Sequence, residues 1–212
     1  NIQAWRNQLI WKRSVDEGLS WQHSLGILYE TYRYSDESIG VKQDANSLSV
    51  PIRLAFTLPL PADQQVELAL SGSHQRMLKT SDSALNKAGL SLSYSIDKVL
   101  RRGKMQARLQ YEVTDVFQLP LAAQVNAEYK VLRNLSVYGG WSKTYRMPTL
   151  NELYYQPGGN IRLKPETGNN LEGGLLAKRG YGQWQFEADA AVFSRRVKNW
   201  IVWYGNAILT PH

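Results

Sequence analysis

TYRMPTLNELYYQPGGNIRLKPETG, residues 144–168, is the longest interruption in a chain whose pattern is otherwise regular. Its prolines, its Gly-Gly-Asn turn at 158–160 and its adjacent tyrosines at 154 and 155 lie between two strand-like segments. Loops of this length without secondary structure of their own are uncommon in compact domains, and most are functional or disordered. The stretch is therefore the first candidate for a functional segment, and its meaning depends on what it joins.

The dominant pattern outside this loop is an alternation of apolar and polar residues with a period of two. It is clearest in Val50–Leu58, Leu90–Ile96, Met105–Val113 and Val125–Val131. This period is typical of β-strands with one apolar and one polar face, and no window has a convincing helical period beyond about two turns. The sequence thus predicts an all-β chain. The predicted strands lie near 2–13, 19–34, 48–58, 65–78, 87–98, 104–114, 121–131, 135–146, 169–179, 183–195 and 197–205.

The connections between these strands alternate in length. The short ones lie near 14–18, 59–64, 99–103, 132–134 and 180–182, and the long ones near 35–47, 79–86 and 147–168. The connection near 115–120 is an exception, because it is short where the alternation requires a long one. Short connections at one end and long ones at the other predict an antiparallel up-and-down meander rather than a Greek key.

Two folds share this pattern and differ in what the apolar face meets. In a soluble β-sandwich the apolar faces meet each other, whereas in a membrane barrel they meet lipid and the polar faces line the lumen. Strands of roughly 11–14 residues, the asymmetry of the connections and aromatic residues near strand ends favour the barrel. For 183–193 the barrel predicts two sets of positions. Trp184, Phe186, Ala188, Ala190 and Val192 would face lipid, and Gln185, Glu187 and Asp189 would face the lumen.

Composition argues against several kinds of site. The 212 residues include no cysteine, so neither a disulfide nor a Cys-based metal site is possible. His23, His74 and His212 stand far apart, which argues against a bound metal ion. No Ser-His-Asp arrangement, phosphate-binding loop or dinucleotide motif points to an enzyme or a cofactor. The sequence contains no run of about 18 apolar residues, so it predicts no transmembrane helix.

The net charge of +7 is consistent with phosphate-bearing partners such as phospholipid, lipopolysaccharide or nucleic acid. Basic residues flank several short turns, where they would meet lipid headgroups on the periplasmic side or simply be solvated. These residues are Lys98, Arg101, Arg102, Lys104, Arg133, Lys178 and Arg179. They do not cluster with aromatic residues on one face, so a nucleic-acid partner is not expected.

The opening stretch resembles a signature of TonB-dependent outer-membrane receptors. Its fixed positions are Tyr145, Arg146, Pro148, Thr149, Glu152 and Leu153, followed by Gly159, Asn160, Leu163, Pro165 and Glu166. In that family an aromatic-Arg-x-Pro-(Thr/Ser)-x-x-Glu-Leu run ends one strand, and a Gly-Asn-Pro-x-Leu-x-Pro-Glu run opens the next. Ile161 stands where the family usually has proline, which makes the turn less rigid. Gly182–Trp203 is similar to the family's usual continuation, so the strong resemblance covers roughly 121–212.

The resemblance implies that residues 1–212 are a partial outer-membrane β-barrel domain, with the plug domain and the final strands outside the chain. It implies active import of a scarce nutrient, such as siderophore iron, haem or cobalamin, across the outer membrane of a Gram-negative bacterium. The implied partners are outer-membrane lipids and lipopolysaccharide, TonB through a plug segment, and a small nutrient ligand, with no cofactor and no nucleic acid. Two alternatives stay open: a soluble β-sandwich that binds a ligand or carbohydrate, and a passive porin-like barrel.

Roles within the loop follow from the same resemblance and from placement. Arg146 and Glu166 lie at facing strand ends, where a charge pair across the base of the loop is expected. The signature residues are expected to hold the loop root: Tyr145, Arg146, Pro148, Glu152, Leu153, Gly159, Asn160, Leu163, Pro165 and Glu166. Tyr154, Tyr155 and Gln156, at the centre of the loop, are the candidates for ligand contact.

Overall fold

The computed structural model describes residues 2–15, 18–36, 41–78, 83–154, 158–204 and 207–209. The strands are β1 (Ile2–Ser14), β2 (Ser20–Asp36), β3 (Val41–Leu60), β4 (Gln64–Met77), β5 (Ala84–Val99), β6 (Gly103–Thr114), β7 (Ala122–Leu132), β8 (Leu135–Arg146), β9 (Glu166–Tyr181), β10 (Trp184–Lys198), β11 (Val202–Tyr204) and β12 (Ala207–Leu209). One helix, α1 (Leu150–Tyr154), lies between β8 and β9. Strands β1 to β10 form one sheet whose spatial order equals the chain order. The antiparallel meander predicted from the sequence is confirmed.

Two predicted elements were wrong. The strand expected at 197–205 does not extend the sheet, because β10 ends at Lys198 and Asn199 takes a positive φ of 56°. Beyond that corner β11 pairs with β12 in a separate two-stranded hairpin. The long connection expected at 35–47 is mostly strand, since β2 and β3 keep their antiparallel register as far as Asp36 and Val41. Local pairing therefore continued through polar residues that the sequence pattern assigned to a loop.

The apolar positions of successive strands form continuous rows across the sheet. In one row Trp21 pairs with Phe56, Phe56 with Leu68, Leu68 with Leu92, and Leu92 with Leu109. Side chains opposite each other in an antiparallel pair project from the same face, so the whole row shares one face. A shift of one residue in any pairing would break the row.

This apolar face is exposed rather than buried in a core. Leu70 and Leu90, in the middle of the sheet, expose 49% and 46% of their surface. The face includes Trp5, Leu9, Trp11, Leu25, Ile52, Phe56, Leu68, Leu70, Leu90, Leu92, Met105, Leu109, Tyr111, Val125, Val137, Trp141, Leu171, Leu175, Trp184, Phe186 and Val192. Soluble proteins rarely expose contiguous apolar patches larger than a few hundred Å². No described part of the chain therefore covers this face of the sheet.

The opposite, polar face carries ion pairs and hydrogen bonds between neighbouring strands. Arg53 pairs with Glu67 at 2.7 Å, and Lys178 pairs with Glu187 at 3.0 Å. The Tyr138 hydroxyl donates to Asp189 Oδ1 at 2.9 Å. Glu187 and Asp189 thus lie on the polar face, as the alternation in 183–193 predicts. Trp184, Phe186, Ala188, Ala190 and Val192 occupy the alternate positions of β10.

The short turns lie together at one end of the sheet. Lys98 Nζ, beside the β5–β6 turn, contacts Asp63 Oδ2 in the neighbouring β3–β4 turn at 2.7 Å. Leu100 and Arg101 occupy the β5–β6 turn with positive φ values of 47° and 68°. The β8–β9 loop lies at the opposite end. Among the described residues, no helix is long and apolar enough to cross a membrane.

The rim of the sheet has a notch above β7. Strand β7 begins at Ala122 opposite Gln110, so the last four residues of β6, Tyr111–Thr114, have no β7 partner. Two hydrogen bonds within the connector after β6 keep it in a tight turn close to the end of that strand. Phe117 N donates to Thr114 Oγ1 at 2.7 Å, and Thr114 Oγ1 donates to Phe117 O at 3.0 Å. This is the connection near 115–120 that breaks the alternation of lengths. Its shortness leaves room that the β8–β9 loop fills.

Candidate functional site

The β8–β9 loop begins with a capped helical turn, which the sequence pattern does not predict. Thr149 Oγ1 accepts a hydrogen bond from Glu152 N at 3.1 Å, and Glu152 Oε2 accepts one from Thr149 N at 2.8 Å. This reciprocal pair is a capping box, which satisfies two amides at the start of a helix. It explains the Thr-x-x-Glu spacing of the signature in local terms. Pro148, which precedes the turn, is completely buried.

Arg146 joins this turn to the next strand. Its Nε and Nη2 donate to the two carboxylate oxygens of Glu166 at 2.8 and 3.0 Å. Its Nη1 donates to both carboxylate oxygens of Glu152 at 3.0 Å. One planar guanidinium therefore binds α1 and β9 at once, which lysine could not do with the same geometry. The charge pair expected between Arg146 and Glu166 is present, and Glu152 is a second carboxylate partner that spacing alone did not assign.

Glu166 also fixes the segment that follows β10. Its Oε1 accepts a hydrogen bond from Ile201 N at 2.7 Å. Nearby, Asn199 Nδ2 donates to Pro165 O at 3.2 Å. The root of the β8–β9 loop and the corner after β10 are thus one connected structure.

The charges at this root lie beyond the apolar face. Along β8 and β9 toward the loop, the last apolar pair on that face is Trp141 with Leu171, and the next pair, Lys143 with Asn169, is polar. Arg146 and Glu166 lie further toward the loop than either pair. Hydrogen bonds from Arg146 and from Ile201 N lower the pKa of the Glu166 carboxyl, although partial burial opposes the shift. Hydrogen bonds to Glu166 and to Glu152 raise the pKa of Arg146. Both groups are therefore charged at neutral pH.

Two small apolar clusters attach the loop to the polar face of the sheet. Leu150 packs with Met77 of β4 and Leu85 of β5. Leu153 packs with Leu163 and Ile201. Partly buried side chains join the two clusters: Phe117 and Tyr154 contact both, and Met147 contacts the first. The loop therefore folds over the notch above β7 and reaches strands β4 and β5.

The remaining signature residues shape the return of the loop. Asn160 N donates to Glu152 O at 2.9 Å, and Asn160 Oδ1 accepts from Arg162 N at 2.9 Å. Gly159 is half-buried beside Gly158, which is buried, and Pro165 is half-buried at the start of β9. Leu163 is 4% exposed. The structure thus brings both halves of the signature together.

The three residues proposed for ligand contact divide into two groups. Tyr154 is half-buried and packs against the two apolar clusters, so much of its ring is already engaged in the loop. Tyr155 and Gln156 lie outside the described residues.

A buried carboxylate below the loop was not predicted from the sequence. Glu112 is 5% exposed, and its Oε1 lies 3.1 Å from Lys87 Nζ. The Tyr145 hydroxyl donates a hydrogen bond to its Oε2. Gly89 makes space for this carboxylate, because a Cβ there would lie 2.9 Å from Glu112 Cγ. Glu112 occupies a polar position in the regular alternation of β6, as many exposed residues do. The only signal that could have identified it as buried is that this part of β6 has no partner in β7.

A polar cleft of about 640 Å³ lies on the same face, toward the short-turn end. Its walls include Gln106, Gln124, Asn126, Tyr138, Ser142 and Glu172. Gly174 keeps one side open, since a Cβ there would lie 2.6 Å from the Tyr138 ring. Within the described ranges, no group of three or more His, Cys, Asp or Glu side chains could hold a metal ion. The cleft can offer both neutral and charged hydrogen-bonding groups, including the Glu172 carboxylate, to a polar partner.

Comparison with solved structures identifies relatives of the fold. A variant of the ferric enterobactin receptor from Pseudomonas aeruginosa, solved with enterobactin, is 16% identical, with a TM-score of 0.78 over 94% of this chain and 36% of that one. The siderophore receptor PirA from the same organism is 18% identical, with a TM-score of 0.70 over 98% and 41%. The alcaligin outer membrane receptor FauA from Bordetella pertussis is 13% identical, with a TM-score of 0.65 over 95% and 38%. At these identities the likeness shows the fold.

Sequence comparison identifies the family. Comparison with curated protein sequences gave no significant match. The profile of the family described as TonB dependent receptor-like, beta-barrel matches residues 1–210. The chain spans roughly two fifths or less of the length of the solved receptors that it resembles. A match over nearly the whole chain, together with the meander and the loop root described above, shows that this chain belongs to the TonB-dependent receptor-like β-barrel family.

Proposed function

We propose that the chain is part of the barrel wall of a receptor that imports a ferric siderophore across the outer membrane of a Gram-negative bacterium. The observation that carries this proposal is the apolar face, which is about half exposed across all ten strands of the sheet. Lipid is the apolar environment that such a face fits in a barrel of this family. Residues 1–212 would form a partial barrel domain, with the plug domain and the remaining strands contributed by other parts of the protein.

The siderophore is supported by the receptors that share the fold. Two of them are named for enterobactin and alcaligin, and a third is named as a siderophore receptor. Import would draw on TonB, which would bind a plug segment outside these residues. The chain itself would supply the wall, the anchored β8–β9 loop and the polar cleft beside which the plug would lie.

The ligand would be contacted from the centre of the β8–β9 loop, by Tyr155 and Gln156 and by the free edge of Tyr154. The loop root would hold these residues in position without touching the ligand, because Arg146 is already ion-paired with both Glu152 and Glu166. Tyr155→Ala and Gln156→Ala should each weaken binding of the cognate ferric siderophore by about tenfold. Arg162→Ala, at an exposed position of the same loop, serves as the matched control.

The two alternatives make different demands on the structure. A soluble β-sandwich would bury its apolar face against a second sheet, and the described residues contain no second sheet large enough to do so. A passive porin-like barrel would need no plug and no energy source. The family match supports the energised receptor.

An uptake experiment tests the proposal. Cells lacking the full receptor gene would be supplied with radioiron as ferric enterobactin, ferric alcaligin or haem, and separately with labelled cobalamin. We expect loss of one siderophore activity, its recovery on complementation, and no recovery in cells that also lack TonB. Uptake of haem or cobalamin alone would remove the siderophore assignment, and TonB-independent uptake would favour the passive barrel. Recovery of the full protein in the soluble fraction would favour the sandwich.

A further inference from the structure

Three cations lie together at the upper margin of the apolar face, where β8, β9 and β10 approach the β8–β9 loop. Lys143 is opposite Asn169, and Asn169 is opposite Arg196, so these three residues form one row. Lys198 is two residues further along β10, opposite Thr167. We call Lys143, Arg196 and Lys198 the cationic patch. Its residues share their face with Trp141 and Leu171, not with the polar face.

The patch has no counterion in the part of the chain that the structure describes. None of its three side chains forms an ion pair with a described residue. The apolar-face positions of β8–β10 at this level include no Asp or Glu. Glu166 and Glu172 project from the polar face, and Glu166 is already bound to Arg146. Arg195, on that polar face, lies close enough to influence Glu166. Its neighbour Arg196 is on the opposite face because successive residues of a strand alternate between faces.

The position of the patch sets the chemistry of a partner. Directly below it Trp141 and Leu171 expose 41% and 59% of their surface on the apolar face. Aromatic and cationic side chains at the edge of an apolar band are typical of the level of lipid headgroups. A cation at this level faces lipid phosphate rather than hydrocarbon, and anionic headgroups attract it.

The spacing suits a headgroup with more than one anionic group. Adjacent strands lie about 4.8 Å apart and residues two apart on a strand about 6.8 Å apart, so the three backbone positions fall within roughly 12 Å. Arginine can bind a phosphate through two parallel N–H groups, and lysine adds a point charge. Asn169 lies between Lys143 and Arg196, and Thr167 lies beside Lys198. Both side chains can hydrogen-bond phosphate oxygens or sugar hydroxyls.

We propose that the cationic patch binds the phosphate groups of lipopolysaccharide in the outer leaflet. This inference rests on the proposed function, because it requires that the β8–β9 loop faces the cell exterior. The ligand class is a phosphorylated glycolipid anchored in the membrane, not free phosphate. Bound in this way, the glycolipid would neutralise three unpaired cations beside the loop root and hold this section of the wall at a fixed depth.

The test uses the full receptor, purified in mild detergent from outer membranes, with retained lipopolysaccharide counted by native mass spectrometry. The triple variant Lys143→Gln/Arg196→Gln/Lys198→Gln should retain at least about tenfold less lipopolysaccharide than wild type. Arg179→Gln, which removes an exposed cation from the same face at the short-turn end, should retain as much as wild type. The charge-conserving variant Lys143→Arg/Lys198→Arg should also retain it.

Two further arms identify the source of the phosphate. Wild-type receptor stripped of lipid should rebind intact lipopolysaccharide from added micelles, but not enzymatically dephosphorylated lipopolysaccharide, and inorganic phosphate should not compete at millimolar concentration. Equal retention by wild type and the triple variant would overturn the proposal, as would equal loss in Arg179→Gln or equal rebinding of the dephosphorylated lipid. If the receptor assembles and imports its nutrient but does not show the expected retention and rebinding of lipopolysaccharide, only the proposed lipid site is rejected. If it is absent from the outer membrane, both proposals fall.

Discussion

The Tyr145 hydroxyl reaches across the open end of β7 to donate a hydrogen bond to Glu112, so β8 and β6 are linked above a strand that stops short. Glu112 is 5% exposed, and its other contact is Lys87 of β5 at 3.1 Å. This cluster seals the notch from below, while α1 covers it from above. The hydroxyl of the signature tyrosine therefore has a structural partner within the chain.

Tyr145→Phe should lower the stability of the barrel. The change keeps the ring but leaves one oxygen of a buried carboxylate without its donor, a loss worth about 1.5–3 kcal/mol for a bond to a charged group. Urea unfolding of the full receptor in lipid vesicles, followed by tryptophan fluorescence, measures the difference. Tyr111→Phe is the matched control, because Tyr111 lies on the apolar face of β6 and is 53% exposed. Equal losses in the two variants would mean that the Glu112 contact contributes nothing.

Arg146→Ala and Glu166→Ala should each reduce the amount of assembled receptor, and the double variant should lose less than the sum. The two side chains form a two-point ion pair at 2.8 and 3.0 Å. The Arg146 side chain is 43% exposed, so we expect a coupling energy of only about 1 kcal/mol. A double-mutant cycle on unfolding free energy measures it, and strictly additive losses would contradict the interaction.

Acidification should loosen the β8–β9 loop. The pKa of Glu166 is lowered from its ordinary value of 4.5, so its contribution to stability is complete above that value. The contribution declines as pH falls below 4.5 toward the lowered pKa. A nitroxide at the exposed position Arg162 should therefore become more mobile in that range. In Glu166→Gln the mobility should change less with pH, and an identical profile in both proteins would assign the transition to another group.

The sidedness of the connections can be read by labelling whole cells. A cysteine at Tyr155, in the β8–β9 loop, should react with a thiol reagent that does not cross membranes. Cysteines at Arg133 and Gly180, beside short turns, should react only after the outer membrane is opened. Equal labelling at the three positions in intact cells would contradict the proposed orientation.

The orientation of the wall predicts opposite outcomes for neighbouring residues of β10. Ala188→Arg places a cation on the apolar face and should cost about 2–4 kcal/mol near the bilayer midplane, enough to block assembly. Asp189→Arg loses the hydrogen bond from Tyr138 but lies on the polar face, so the receptor should assemble. Heat-modifiable migration on gels reports assembly. In bilayers a nitroxide at 188 should be accessible to oxygen and one at 189 to water; a label at 188 shielded from both would place a protein core there.

The wall was predictable because its information is local and repeats in every strand. Alternation identified the two faces, and the bounds predicted for β8, 135–146, are those of the structure. Where polar residues replace the alternation, as at 35–47, no local pattern indicates that pairing between β2 and β3 continues.

The loop root was only partly predictable. Facing strand ends suggested the pair of Arg146 with Glu166, because those positions are adjacent in any hairpin. The bond from Arg146 to Glu152 depends on α1, a five-residue turn too short to produce a helical period. The contacts of Leu150 with Met77 and Leu85 join residues about 70 positions apart, and no local pattern encodes them.

The row of paired apolar residues from Trp21 to Leu109 determines which changes of chain length the protein can accept. Deleting one residue inside β4 would move every later side chain of that strand to the opposite face, so leucines would enter the lumen and serines would meet lipid. Deleting two would preserve the faces and shorten the strand by one pleat. Natural and engineered insertions should therefore collect in the loops, and those found within strands should come in even numbers.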